Sequence, residues 1–239
     1  LLHSSMARSS PLLPLLQPAD PLLEQYGPAE AGSAPILIVQ TFGVVDIEYA
    51  ALRKSAGVLD EPHRATLSVK GADRLAFLNR MLTQELKDAI PGVMRRSFWL
   101  SRKGRIEADL RVLVLNDQIL LDLDAHAAPR TLASLGAFII AADVALSDES
   151  EAWHRLSVHG PRAQAVVGID VEPSRVENAT IGNANVLVTR DDTVAAPGLH
   201  LFLKTSDAPQ VYRAILAAGA KPIGWAAWNI ARIEAGTPI

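Results

Sequence analysis

The sequence predicts an α+β fold of two duplicated ferredoxin-like lobes, each with the element order βαββαβ. Three observations predict it. A strand–glycine–helix pattern occurs twice, as LSVKGADRLAFLNRML from Leu67 and as LSVHGPRAQAVVGI from Leu156. After each copy the same order follows: two strands around a short polar break, a helix and a final strand. Hydrophobic residues make up 49% of the 239 positions, enough to bury two cores.

The chain opens with LLHSSMARSSPLLPLLQPADPLLEQYG, whose apolar run is broken by Pro14 and Pro18 and is too short to span a bilayer. A flexible arm over residues 1–35 is expected, with GPAEAGSAP as a linker by composition. Five residues precede Met6, which suggests an upstream reading frame for Leu1 to Ser5. A basic, acid-poor transit peptide before Asp20 is the minority reading, and a cytoplasmic protein is expected. Residues 36–150 are expected to form the first lobe and 151–239 the second, with the boundary near Glu149 to Trp153. Pro35 to Pro62 adds a strand pair and a helix before the first copy.

In the first copy Leu75, Leu78 and Leu82 fall at helical spacing with Asp73 in the first turn; in the second, Pro161 suits a first helical position. ADLRVLVL and QILLDLDA flank Asn116-Asp117, and NVLVTRD and LHLFLK flank a break holding Pro197 and Gly198. The helices APRTLASLGAFI and APQVYRAILAAG and the strands DVALSD and KPIGW complete the two halves. The ending ARIEAGTPI reads as the last turns of a helix, with Gly236 and Pro238 as stop signals.

A formal charge of -3 gives no overall field for nucleic acid or an anionic membrane. Zero cysteines exclude disulfides, thiolate metal ligation and a cysteine nucleophile in this stretch. The six histidines lack metal-site spacing, so no metal is expected. No glycine-rich phosphate loop and no Ser-His-Asp order is present.

The chemistry-bearing candidates centre on WLSRKGRIEADLRVLVL, Trp99 to Leu115. Asp109, Arg111 and Leu113 share one face of a strand, and Leu110, Val112 and Val114 the other. Asp109 is then either a ligand-facing carboxylate that accepts from an amine or heteroaromatic N–H, or a solvent-facing acid paired with Arg111. The basic group Arg95, Arg96, Arg102, Lys103 and Arg105 reads either as an attractor for a polyanion or as a solvated hairpin tip. Trp225 and Trp228 read as core packing.

The stretches EYAALRKSAGVLDEPHRATLSVKGADRLAFLNRMLTQEL, RKGRIEADLRVLV, LSVHGPRA and GWAAWNIARIEAGTPI together resemble the folate-binding superfamily of the glycine cleavage T protein. Within it the chain looks like the YgfZ branch, relatives of the mitochondrial iron–sulfur assembly factor. The likeness covers about residues 40–239.

The resemblance implies two duplicated α/β lobes and a third, β-barrel lobe around tetrahydrofolate, with iron–sulfur client proteins as possible partners. It implies Asp109, Arg111, Trp99, His200 and Trp228 as folate-binding positions and no catalytic residue. Where the T protein has two adjacent acids this chain has Ala108 and Asp109. The T protein's folate-contacting Glu corresponds to His200 in GLHLFL, and its Arg to Trp228 in AAWN. Each such charged contact supports roughly 1.5–3 kcal/mol of hydrogen bonding, so their loss argues against aminomethyl transfer. The branch's return segment, with its Lys-Gly-Cys signature, and its barrel lobe would follow Ile239. The leading expectation is therefore a truncated folate-binding YgfZ-like protein that supports iron–sulfur enzymes. The alternative is a divergent aminomethyltransferase passing a one-carbon unit to tetrahydrofolate.

Overall fold

A computed structural model describes residues 9–27 and 35–238. In chain order the elements are α1 (Leu13–Leu16), β1 (Leu22–Tyr26), β2 (Ile36–Thr41), α2 (Val45–Lys54), β3 (Gly57–Asp60), β4 (Arg64–Lys70), α3 (Arg74–Met81), β5 (Val93–Leu100), β6 (Ile106–Val114) and β7 (Ile119–Asp124). They continue with α4 (Ala128–Gly136), β8 (Ala145–Asp148), β9 (Trp153–His159), α5 (Ala163–Val167), β10 (Val176–Ile181), β11 (Ala184–Arg190), β12 (Gly198–Lys204), α6 (Ala208–Ala217), β13 (Lys221–Ile223) and α7 (Trp225–Glu234). No helix among the described residues is long and apolar enough to cross a membrane.

The elements group into two compact units. One holds Arg64–Trp153 with Ser174–Glu177. Its sheet has the order β5-β6-β7-β4-β8, with each adjacent pair antiparallel. The period-two pattern explains the packing: Ala65, Leu67 and Val69 on β4, Leu110, Val112 and Val114 on β6, and Ile119, Leu121 and Leu123 on β7 all enter one core. Phe77 and Leu78 of α3 and Ala128 and Leu135 of α4 close that core from the same side. The other face of the sheet carries Arg64, Thr66, Ser68, Asp109, Arg111 and Asp122.

The second unit takes in residues 35–63, His154–Pro173 and residues 178–238, together with 9–27. Its sheet runs β10-β11-β12-β9-β3-β13, with β3 antiparallel to β9 and parallel to β13. Val58, Leu156, Val158, Val186, Val188, Leu199 and Leu201 pack with α5 and α6 on one face. Leu59 and Ile223 pack with Leu52 of α2 and Ala227, Trp228 and Ala231 of α7 on the other. The buried Glu48 carboxylate binds this second layer: it accepts from Thr41 Oγ1 at 2.6 Å, Phe42 N at 2.7 Å and Gly224 N at 2.6 Å. At Gly224 a Cβ would stand 2.3 Å from the Gln40 carbonyl oxygen, so only glycine lets β2 approach the start of α7 this closely.

Both sheets repeat strand, helix, three strands, helix, strand, with equivalent orders apart from the insertion of β3. The expected βαββαβ order holds two strands between its helices. The additional edge strands β5 and β10 come from VMRRSFWL and VENATI, which the expected order left out although Gly182-Asn183, both at positive φ, follows VENATI as a two-residue turn into β11. Residues 36–63 also group differently from the expected 36–150 lobe. Gly57–Asp60 pairs with Leu156–His159, some hundred residues along the chain, a contact invisible to local pattern. Residues 9–27 depart from the expected flexible arm as well: Leu12 and Leu16 lie in a core and β1 pairs with β2. Residues 1–8 and 28–34 of that arm lie outside the described residues, as does Ile239.

Candidate functional site

The first unit carries a row of charges on the sheet face away from α3 and α4. The register sets Arg96 opposite Arg111 and Phe98 opposite Asp109, and Arg96 reaches diagonally to the acid. Its Nη2 lies 2.6 Å from Asp109 Oδ2, and its Nε donates to both carboxylate oxygens at 3.1 and 3.2 Å. The Asp109 side chain stays 35% exposed. Its partner is thus Arg96 rather than the expected Arg111. Arg111 turns to Asp122 across the β6–β7 pair, 3.5 Å away. Arg64 holds the same buried carboxylate with two bonds, at 2.7 and 3.2 Å.

Trp99 is not brought to Asp109. It pairs with Ala108, one residue out of phase with the acid, and therefore points into the core. There its indole donates to Ser134 Oγ at 2.9 Å and meets Phe138 edge to face. In the basic group, Ser101 N bonds Arg105 O and Gly104 takes a φ of 73°, so Arg102, Lys103 and Arg105 sit on an exposed turn.

The second unit contains a buried polar cluster on the α7 side of its sheet. Arg155 Nε lies 2.7 Å from Glu61 Oε2, and its Nη2 bonds His200 Nδ1 at 2.8 Å. His159 Nε2 meets Ser157 Oγ at 2.9 Å, and its ring stands 5.5 Å from His200 and 6.3 Å from Trp228. Trp228 stacks obliquely on Trp225 at 4.9 Å. Among the described residues the buried Trp228 Nε1, Thr189 Oγ1 and His159 Nδ1 have no hydrogen-bond partner.

Electrostatics follow from this crowding. Burial pushes the Glu61 carboxyl up, but the Arg155 charge and the His200 contact pull harder, and the net result is well below the usual carboxylate range. His159 is pushed down to about 3 by burial first, then by repulsion from His200 and Arg155 against the opposing pull of Glu61 and Asp191. It is a neutral imidazole at ordinary pH. Among the described residues no group of three or more His, Asp or Glu is arranged to hold a metal.

The structure therefore brings His200 and Trp228 to one cluster and places Asp109 and Arg111 on one sheet face of the other unit. Glu61, Arg155, Ser157 and His159 were not singled out by the sequence reading. A signal was present: in WHRLSVHG every second residue from Arg155 to His159 is polar, although the strand is buried on both faces.

Residues 24–239 match the GCVT N-terminal domain model. An aminomethyltransferase of Exiguobacterium sibiricum is 27% identical over 240 residues, covering 97% of this chain and 64% of the relative. The aminomethyltransferase of Thermus thermophilus is 30% identical over 212 residues, covering 85% and 60%. Among solved structures, the glycine cleavage system aminomethyltransferase T from Bartonella henselae superposes with a TM-score of 0.83 at 22% identity, over 97% of this chain and 63% of that one. The heterotetrameric sarcosine oxidase of Corynebacterium shares the fold at a TM-score of 0.55 and 17% identity, over 73% of this chain. The chain spans about three-fifths of the length of the aminomethyltransferases it matches. It belongs to the GCVT N-terminal domain family.

Proposed function

We propose that this chain is the folate-binding domain of an aminomethyltransferase-like protein, with tetrahydrofolate as its ligand and Asp109 as the acid that engages it. The named relatives favour this reading over the iron–sulfur support role expected of the YgfZ branch, for which neither they nor the site geometry offers support. The two sheets, with their equivalent strand orders, are read as duplicated copies of one ferredoxin-like unit.

The observation that carries the proposal is the Asp109 carboxylate: part-exposed, on the sheet face away from the helices, and oriented by the two-pronged grip of Arg96. A carboxylate fixed in this way accepts a hydrogen bond from a heterocyclic N–H without first losing side-chain freedom. Arg111, Asp122 and Arg64 support it as a neighbouring ion-pair row. Tetrahydrofolate, when bound, supplies the nitrogen that takes up the one-carbon unit.

One observation favours a second reading, binding without transfer. At the two positions where the T protein has a Glu and an Arg, this chain has His200, engaged by Arg155, and Trp228, packed on Trp225. Titration of the full chain with tetrahydrofolate, in wild type and Asp109→Asn, tests the shared claim. The expected result is saturable binding weakened about tenfold in the variant, the worth of one charge-assisted bond. No binding, or equal binding, removes Asp109 from the role. Production of methylenetetrahydrofolate from an aminomethylated carrier selects transfer; binding with no product selects the second reading.

A further inference from the structure

The β1–β2 ribbon and the first turns of α7 line a half-open recess of about 280 Å³ that the proposed folate chemistry does not use. Its lining follows from two periodicities. On the ribbon, Glu24 and Tyr26 share a face by the two-residue repeat of β1, Glu24 stands in register with Ile38, and Gln40 is the extra residue of β2 where the register shifts opposite Leu22 and Leu23. On α7, Trp225 and Asn229 stand four residues apart and therefore on one side of the helix.

Tyr26 and Trp225 meet at 5.5 Å with planes 80° apart, so the two rings form a corner rather than a stack. The buried His63 backs that corner, 4.6 Å from Tyr26 and 5.0 Å from Trp225. The polar lining comprises the Glu24 carboxylate and the amides of Gln25, Gln40 and Asn229. The Glu24 carboxylate can only accept at neutral pH. Among the described residues Gln40 Oε1, a buried acceptor, has no hydrogen-bond partner. Asn229 Oδ1 already accepts from Arg232 Nε at 2.9 Å, which leaves its amide NH2 as a donor. Among the described residues no lysine or arginine lines the recess.

An aromatic corner with a carboxylate and a spare carbonyl attracts a cation and N–H donors, and repels anions. The volume lies just under the range of ligand pockets, roughly 300 to 1,000 Å³, so it suits one ring with a short substituent. We propose that this recess binds a single-ring, planar amidinium-type cation, with the charge on Glu24, an N–H on Gln40 Oε1 and the ring in the corner of Tyr26 and Trp225. The site lies wholly within one unit, and Asp109 belongs to the other.

The test is calorimetric titration of the full chain with benzamidine, and with neutral benzamide as the control of equal shape. Saturable benzamidine binding is expected, with benzamide about tenfold weaker, as loss of one charge-assisted contact implies. Glu24→Gln and Trp225→Leu are each expected to weaken benzamidine about as much, while Asp109→Ala leaves it unchanged. Glu24 is exposed, so its variant folds even where Trp225→Leu does not. No benzamidine binding, equal affinity for benzamide, or unchanged affinity in Glu24→Gln overturns the proposal. Affinity lost in Asp109→Ala but kept in Glu24→Gln also overturns it, by moving the amidine to the other unit.

Discussion

Arg155 Nε stands 2.7 Å from Glu61 Oε2, and the two side chains are only 5% and 2% exposed. A pair this deep loses most of its hydration on folding, so its net worth is small, but loss of one partner strands the other charge. Glu61→Ala is therefore expected to destabilise by roughly 3–5 kcal/mol in urea unfolding. Glu61→Leu combined with Arg155→Met should recover much of that loss. A single variant with an unchanged unfolding midpoint would show that the pair is not buried as described.

Acidification should weaken the fold in two overlapping windows. His159 has a folded value of about 3 against an ordinary 6.5, so between these limits the unfolded chain binds a proton that the folded chain refuses. Stability rises with pH wherever the unfolded state holds more protons; the His159 contribution is complete above about 6.5 and is lost on descent toward 3. Its size is on the order of a few kcal/mol. Glu61, also depressed, adds a loss of the same sign below its ordinary 4.5. His159→Gln should flatten the slope between pH 7 and 5, read as urea midpoints at each pH; an equal slope in both proteins would refute the assignment.

Gly198 is held by the same cluster. A Cβ there would stand 2.4 Å from the Asp191 carbonyl oxygen and 2.7 Å from His159 Nδ1. Neither neighbour is a flexible chain end, so Gly198→Ala forces backbone or ring to move, at roughly 1–3 kcal/mol. Thermal unfolding checks it. Gly104→Ala offers a contrast, since no atom crowds that position and only its φ of 73° opposes the change.

The repeated strand–glycine–helix element was legible because it is local: the apolar alternation of β4 and β9 and the leucine spacing of α3 lie within single windows of the sequence. The insertion of β3 beside β9 was not, because nothing in GVLD names a partner a hundred residues away. The cluster around Arg155 shows the same limit. Its polar alternation was visible, but Glu61 lies 94 residues upstream and His200 45 residues downstream, so the identity of the partners is a property of the sheet order. At Asp109 the two-residue period placed the acid and Arg111 on one face, but the diagonal reach of Arg96 follows from the β5–β6 register, which no local pattern sets.

That face offers a separation of structural from ligand-directed acids. Asp109 is 35% exposed and joined to an Arg96 side chain that is itself 38% exposed, so Asp109→Ala should cost less than about 1 kcal/mol of stability. Asp122 is 1% exposed and is shared by Arg64 and Arg111 at 15% and 12%, so Asp122→Ala leaves two arginines facing each other and should cost roughly 3–5 kcal/mol. If Asp109 engages tetrahydrofolate, its variant keeps the wild-type urea midpoint in the apo protein and loses most of the midpoint gain that the ligand gives, since ligand stabilisation scales with affinity. A variant that loses apo stability as Asp122→Ala does, yet keeps the ligand-induced gain, would make Asp109 a structural acid and move the folate contact elsewhere.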